Sequence, residues 1–210
     1  MSVRFQFAGD KDISVGRAGG ASLFSLPGGG GTPPPSGDVL ISSQTLDGTY
    51  LSTTPSESFT FSGGSTYLTD GASVTAFSYI SDTSGSFSLN LTGLTSLVSA
   101  NVYYNDAMTT APNCSGLTSL TSVNFSANAG MTDAPNLTGC TALTTVYVNN
   151  CSLGDSTLLT MCSQILSAAG GNNGTLVMNG DYNYSFDSSS IPTEITDLVN
   201  AGWTVTYNSY

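Results

Sequence analysis

The chain has 210 residues, only 8% of them charged, with three Lys/Arg against fourteen Asp/Glu, no His and a formal net charge of −11. The three cations are Arg4, Lys11 and Arg17, so positions 18–210 hold twelve carboxylates and no basic side chain. Such a body repels phosphate backbones and anionic membrane surfaces, both of which are bound through clustered Lys and Arg; no nucleic-acid or membrane partner is expected. Apolar content of 39%, with ten Tyr and nine Phe, argues against general disorder, and the length suits one core plus an appendage.

At the start, residues 2–7 alternate as a short strand with Val3, Phe5 and Phe7 on one side. Residues 1–25 are read as an anchoring arm that docks through Val3, Arg4, Phe5, Phe7 and Arg17, its strand adding to a partner's sheet edge. Glycines 28–31 and prolines 33–35 make 26–37 a linker. Charges at positions 4, 10, 11 and 12 interrupt any secretory h-region, and no run approaches the ~18 apolar residues of a membrane span. The expectation is synthesis in a cytoplasm and delivery by assembly or another export route. Residues 38–66 contain DVLISS and SFTFSGG, read as two short strands of a capping segment.

An internal repeat follows. Residues 90–112 (NLTGLTSLVSANVYYNDAMTTAP), 113–135 (NCSGLTSLTSVNFSANAGMTDAP) and 136–158 (NLTGCTALTTVYVNNCSLGDSTL) align without a gap on a 23-residue period, and 67–89 fits more loosely. The shared core pattern is L-x-x-V-x-F-x-x-N: Leu97, Ala100, Val102, Asn105; Leu120, Val123, Phe125, Asn128; Leu143, Val146, Val148, Cys151; and, degenerate, Val74, Phe77, Tyr79, Asp82. Alternate inward residues mark a strand in each copy. The terminal Asn is suited to turn inward and bond backbone groups that the turn leaves unpaired. Gly93, Gly116 and Gly139, with Ala-Pro at 111–112 and 134–135, mark turns on the return side.

This pattern resembles the leucine-rich repeat, L-x-x-L-x-L-x-x-N/C, in the short Ser/Thr/Asn-rich form found on bacterial surfaces and in phage proteins. The resemblance covers 67–210 and departs from the family in a short convex side and in leucines replaced by Val, Ala or Phe. It implies a predominantly β, α/β solenoid of 23-residue coils with C-terminal helices, preceded by the extended arm. Beyond 151 the return segment lengthens. Asp155 or Ser156 is expected to cap a helix through STLLTMCSQILSAA, with Leu158, Cys162 and Ile165 on one face and Gly170–Gly171 ending it. A strand in TLVMNG, a second helix in PTEITDLVNA and a last strand in WTVTY complete the chain.

Little here is equipped for catalysis. Without His there is no Ser–His or Cys–His pair, and the only glutamates of the body are Glu57 and Glu194, far apart in sequence. Cys114, Cys140 and Cys151 occupy repeat positions held elsewhere by Leu or Asn, and Cys162 lies on a helix's apolar face, so all four are read as core thiols rather than disulfides or zinc ligands. No calcium-loop motif occurs. No cofactor, metal or catalytic residue is expected. Asn90, Asn113 and Asn136 fall in Asn-x-Ser/Thr but follow the repeat, which makes them turn asparagines.

What remains is the outward side of the strands: Ala76, Ser78, Ile80; Ser99, Asn101, Tyr103; Ser122, Asn124, Ser126; Thr145, Tyr147, Asn149; and Thr175, Val177, Asn179. None is charged, and six strands at ~4.8 Å make a face about 25 Å wide. Asn101, Tyr103, Asn124, Tyr147 and Asn149 are its candidate ligand residues. Two readings compete, a solvated strand face and a binding face. The leading expectation is a non-enzymatic virion structural protein of a bacteriophage. Its residues 1–37 contact other virion proteins, and the repeat domain stands on the virion exterior as capsid or tail decoration, or as an attachment knob for a host-surface glycan or protein. A homo-oligomer is compatible with this. A bacterial cell-surface adhesin is the alternative, and a polysaccharide-degrading enzyme with a close carboxylate pair the third class.

Overall fold

The computed structural model describes residues 38–48, 50–62, 64–82 and 86–210, together with the backbone of 13–15. It is a mixed α/β structure, mostly strands. In chain order these are β1 (Ile13–Val15), β2 (Val39–Ser42), β3 (Leu51–Thr54), β4 (Phe59–Ser62), β5 (Ser65–Leu68), β6 (Ala76–Ile80), β7 (Ser99–Tyr103), β8 (Ser122–Asn124) and β9 (Thr145–Tyr147). Then follow α1 (Asp155–Ala169), β10 (Thr175–Val177), β11 (Ser185–Phe186), α2 (Thr193–Asn200), β12 (Thr204–Thr206) and β13 (Asn208–Ser209).

The main sheet has seven strands in the order β12-β10-β9-β8-β7-β6-β3, parallel throughout except that β3 runs antiparallel to β6. Its register follows the repeat: Phe77 pairs with Ala100, Ala100 with Val123, and Val123 with Val146, continuing to Leu176. Because side chains alternate across a strand, this row and the next inward set, Tyr79, Val102, Phe125, Val148 and Met178, are all fully buried. Val74, Leu97, Leu120 and Leu143 enter the same core ahead of each strand. Each such side chain contributes roughly 1.5–3 kcal/mol through burial.

On the return side Asn90, Asn113 and Asn136 bridge one another in parallel. Their side-chain oxygens accept from the amides of Thr92, Ser115 and Thr138, so they are turn asparagines. Gly116 and Gly139 both sit at φ 77, where a Cβ is strained. Leu91, Cys114 and Leu137, and then Leu94, Leu117 and Cys140, fill the space between these turns and the sheet.

A buried polar ladder closes each strand. Asn105 Nδ2 donates to the carbonyls of Tyr79 and Tyr103, while its Oδ1 accepts from the amide of Asp82. Asn128 repeats the arrangement 23 residues on, donating to Val102 and Phe125 and accepting from the amide of Asn105. Cys151 takes the next place with its thiol directed at the Phe125 carbonyl. The residue just before each ladder position is left-handed: Ser81, Tyr104, Ala127 and Asn150 at φ 53 to 66. Few non-glycine residues adopt that conformation, and the inward-turned side chain that follows holds it.

Several expectations need correction. The helix over 155–169 forms as expected, with Leu158, Met161, Cys162 and Ile165 buried, but its N-cap is Gly154 and no side chain caps it; Asp155 lies in the first turn. Extended backbone at Gly154 sets the entry, and the oxygen of Asp155 accepts only from the adjacent amide of Ser156. The helix ends at Gly170, as expected, though the cap is right-handed and leads into a 3-10 turn over Gly170–Asn172 that the left-handed Asn173 closes. The segment 38–66 holds three strands, not two, and β5, begun at Ser65, runs past it to Leu68. Of these, β2, β4 and β5 form a small antiparallel sheet together with β1, whereas β3 joins the main sheet as its antiparallel edge. The arm residues Val3, Arg4, Phe5, Phe7 and Arg17 lie outside the described residues; the backbone of Ile13–Val15 pairs with Phe59–Phe61 of this chain.

Candidate ligand-binding face

The outward side of the main sheet is built by the same alternation that builds the core. One row runs Ala76, Ser99, Ser122, Thr145, Thr175, Thr204 and the next runs Ser78, Asn101, Asn124, Tyr147, Val177, Thr206, each residue paired with its neighbour on the adjoining strand. Asn101, Asn124 and Tyr147 are thus brought side by side. Tyr103 stands two residues further along β7, beside Ile80, and Asn149 follows β9, where its carbonyl accepts from the amide of Ala127. No position in either row carries a formal charge.

The face is partly wet rather than open. Tyr147 is 37% exposed, while Asn101, Tyr103, Asn124 and Asn149 are half-buried. Asn124 Oδ1 accepts from both the hydroxyl and the amide of Ser126, which fixes the side chain along the strand. Tyr103 packs edge-on against Tyr104, centroids 5.3 Å apart, and Tyr104 is 60% exposed. The sequence pattern misses Tyr104 because it falls on the turn residue, outside the two-residue alternation. It also misses Asn183, which bonds the carbonyls of Val148 and Met178 and the amide of Leu153 in ladder fashion after the spacing lengthens across α1.

Away from this face, the buried thiols and Tyr79 belong to the core. All four cysteines are buried and free. Burial pushes the thiols of Cys140 and Cys151 up to about 11 and that of Cys162 to about 12, and that of Cys114 higher still. Tyr79 is raised by burial and then by donating its hydroxyl to Asp82. Since the thiols are raised from 9.0, the folded state binds more protons than the unfolded chain above that pH. Their contribution is complete below pH 9.0 and is lost as pH climbs toward about 11 or 12. A thiol reagent at pH 8 is therefore expected to label the folded protein only as fast as it opens, and all four thiols at once in denaturant; prompt labelling of one native cysteine would contradict their burial. Among the described residues no group of three or more His, Cys, Asp or Glu converges to hold a metal ion, and no helix is long and apolar enough to cross a membrane.

Comparison with family models, curated proteins and solved structures found no match for the chain.

Proposed function

We propose that residues 67–210 form a leucine-rich-repeat-like solenoid and that the protein is a non-enzymatic bacteriophage virion component, docked through residues 1–37 and displaying the uncharged strand face. The 23-residue step in the sheet register, the Asn/Cys ladder and the left-handed residue before each rung support the repeat reading. The observation that carries the functional reading is the face itself: Asn101, Asn124 and Tyr147 in one paired row, flanked by Tyr103, on a surface without charge. Rows of amide and hydroxyl groups between tyrosines suit a neutral polar ligand, such as a host-surface glycan or an uncharged protein patch. A chain with no basic side chain after Arg17 is ill suited to an anionic one.

The test is adsorption of the folded protein to host cells, with Tyr103→Ala combined with Tyr147→Ala. Loss of two ring contacts should weaken adsorption by at least about tenfold while the unfolding transition moves little, since both rings are partly exposed. Unchanged adsorption would remove the face from the proposal.

A further inference from the structure

A second surface lies away from the strand face. The first turn of α1, the segment from Tyr184 to Pro192 and Tyr210 enclose an open cleft of about 330 Å³, at the small end of the range for small-molecule sites. Two aromatic rings border it, Tyr184 at 42% and Tyr210 at 73% exposure. Tyr184 is backed edge-on by the buried Phe186 at 5.1 Å, and Phe186 in turn by Tyr207 at 5.9 Å, so that ring is held in place before any ligand arrives. The backbone of Tyr210 is anchored as well, its amide donating to Phe186 and its carbonyl accepting from the amide and hydroxyl of Ser188. Asp155 and Asp187 supply carboxylates to the same cleft, and Ser190 a hydroxyl. The amide and hydroxyl of Ser189 both donate to Asp187 and hold its carboxyl below the usual range.

We infer that this cleft binds a neutral saccharide. A pyranose has a C–H face and a rim of hydroxyl donors. The tyrosine rings meet the first with their electron-rich faces, and the carboxylates accept from the second in hydrogen bonds. Acidic sugars, phosphates and nucleotides are disfavoured by the two carboxylates, with no cation among the described residues that line the cleft. The arrangement is a binding one rather than a hydrolytic one: a glycosidase needs one carboxyl kept protonated in an apolar pocket, whereas Asp187 is exposed and held ionised.

The full-length protein should be titrated by calorimetry with maltohexaose, cellohexaose and chitohexaose, and in parallel with tetra-arginine and with calcium chloride alone. At least one neutral hexasaccharide should bind, with affinity little changed by salt. Tyr210→Ala and, separately, Asp187→Asn should weaken it roughly tenfold, and the Tyr103→Ala/Tyr147→Ala protein should bind it normally, which keeps this site distinct from the strand face. Emission of the single tryptophan, buried Trp203, reports that each variant is folded. Four results would overturn the inference: no hexasaccharide binding at millimolar concentration, salt-sensitive binding of tetra-arginine alone, calcium binding lost in Asp155→Asn, or cleavage of the bound sugar.

Discussion

Replacing Asn128 with Ala is expected to lower the unfolding free energy by about 3–5 kcal/mol, among the largest single-residue effects in this chain. The side chain is fully buried and makes three hydrogen bonds, two as donor to the carbonyls of Val102 and Phe125 and one as acceptor from the amide of Asn105. Its removal takes that partner from the carbonyl of Val102 and the amide of Asn105 in a buried place, while the carbonyl of Phe125 keeps only the thiol of Cys151. It also releases Ala127, whose left-handed φ of 53 is held by the turn that Asn128 closes. Asn128→Cys should cost less. At the next rung Cys151 already shows that a thiol can direct its hydrogen to the carbonyl of Phe125 and receive the amide of Asn128, although it offers a weaker acceptor. Urea denaturation of the two variants, compared at unchanged m-value, measures both. Equal stability of Asn128→Ala and wild type would mean that the ladder carries no load.

Trp203→Ala is the second large loss, about 3–5 kcal/mol. The indole is 2% exposed, and its Nε1 donates to the carbonyl of Ala169, which ties the junction between α2 and β12 to the end of α1. Gly174, just before β10, is shaped to it: a Cβ there would stand 2.6 Å from the ring and 2.5 Å from the carbonyl of Thr144. Truncating the ring therefore leaves a large void beside β10 and an unpaired carbonyl. Trp203→Phe should retain most of the packing and lose about 1–2 kcal/mol with the hydrogen bond. Thermal unfolding followed by far-ultraviolet circular dichroism distinguishes the two; a Phe variant as unstable as the Ala variant would place the energy in the hydrogen bond instead of the packing.

The parts of the fold that are legible in the residues are those where position and chemistry repeat. Leu97, Leu120 and Leu143, or Asn105 and Asn128, each recur at one spacing, so core, outward face and ladder can be assigned from the register alone. The same register accounts for Cys114, Cys140 and Cys151 as substitutes for larger or more polar residues at buried places. Legibility ends where the period breaks. Once α1 is inserted, the rung after Cys151 moves to Asn183, and no fixed spacing points to it. Strands β11 and β13 have two residues each, too short to show any alternation, yet they hold the rings and carbonyls that shape the cleft at Tyr184 and Tyr210. The edge role of β3 depends on pairing with β6, which LSTT does not announce. Asp155 has the chemistry of a cap, but backbone geometry at Gly154 decides the matter.

The outward face was legible for the same reason as the core, since it is the core's complement. Its five candidate residues needed only the alternation, whereas Tyr104 required the turn geometry. What the alternation could not supply is how far each side chain is already engaged, as Asn124 is with Ser126.

A virion component displayed outward is present on the particles themselves. Phage particles purified from a culture that encodes the chain should contain it by mass spectrometry, and gold-labelled antibody against residues 38–210 should mark their exterior in a regular pattern. Particles made with a chain lacking residues 1–37 should carry neither signal. Absence of the intact chain from purified particles, with the antibody marking bacterial cells instead, would rule out a virion component and favour the adhesin.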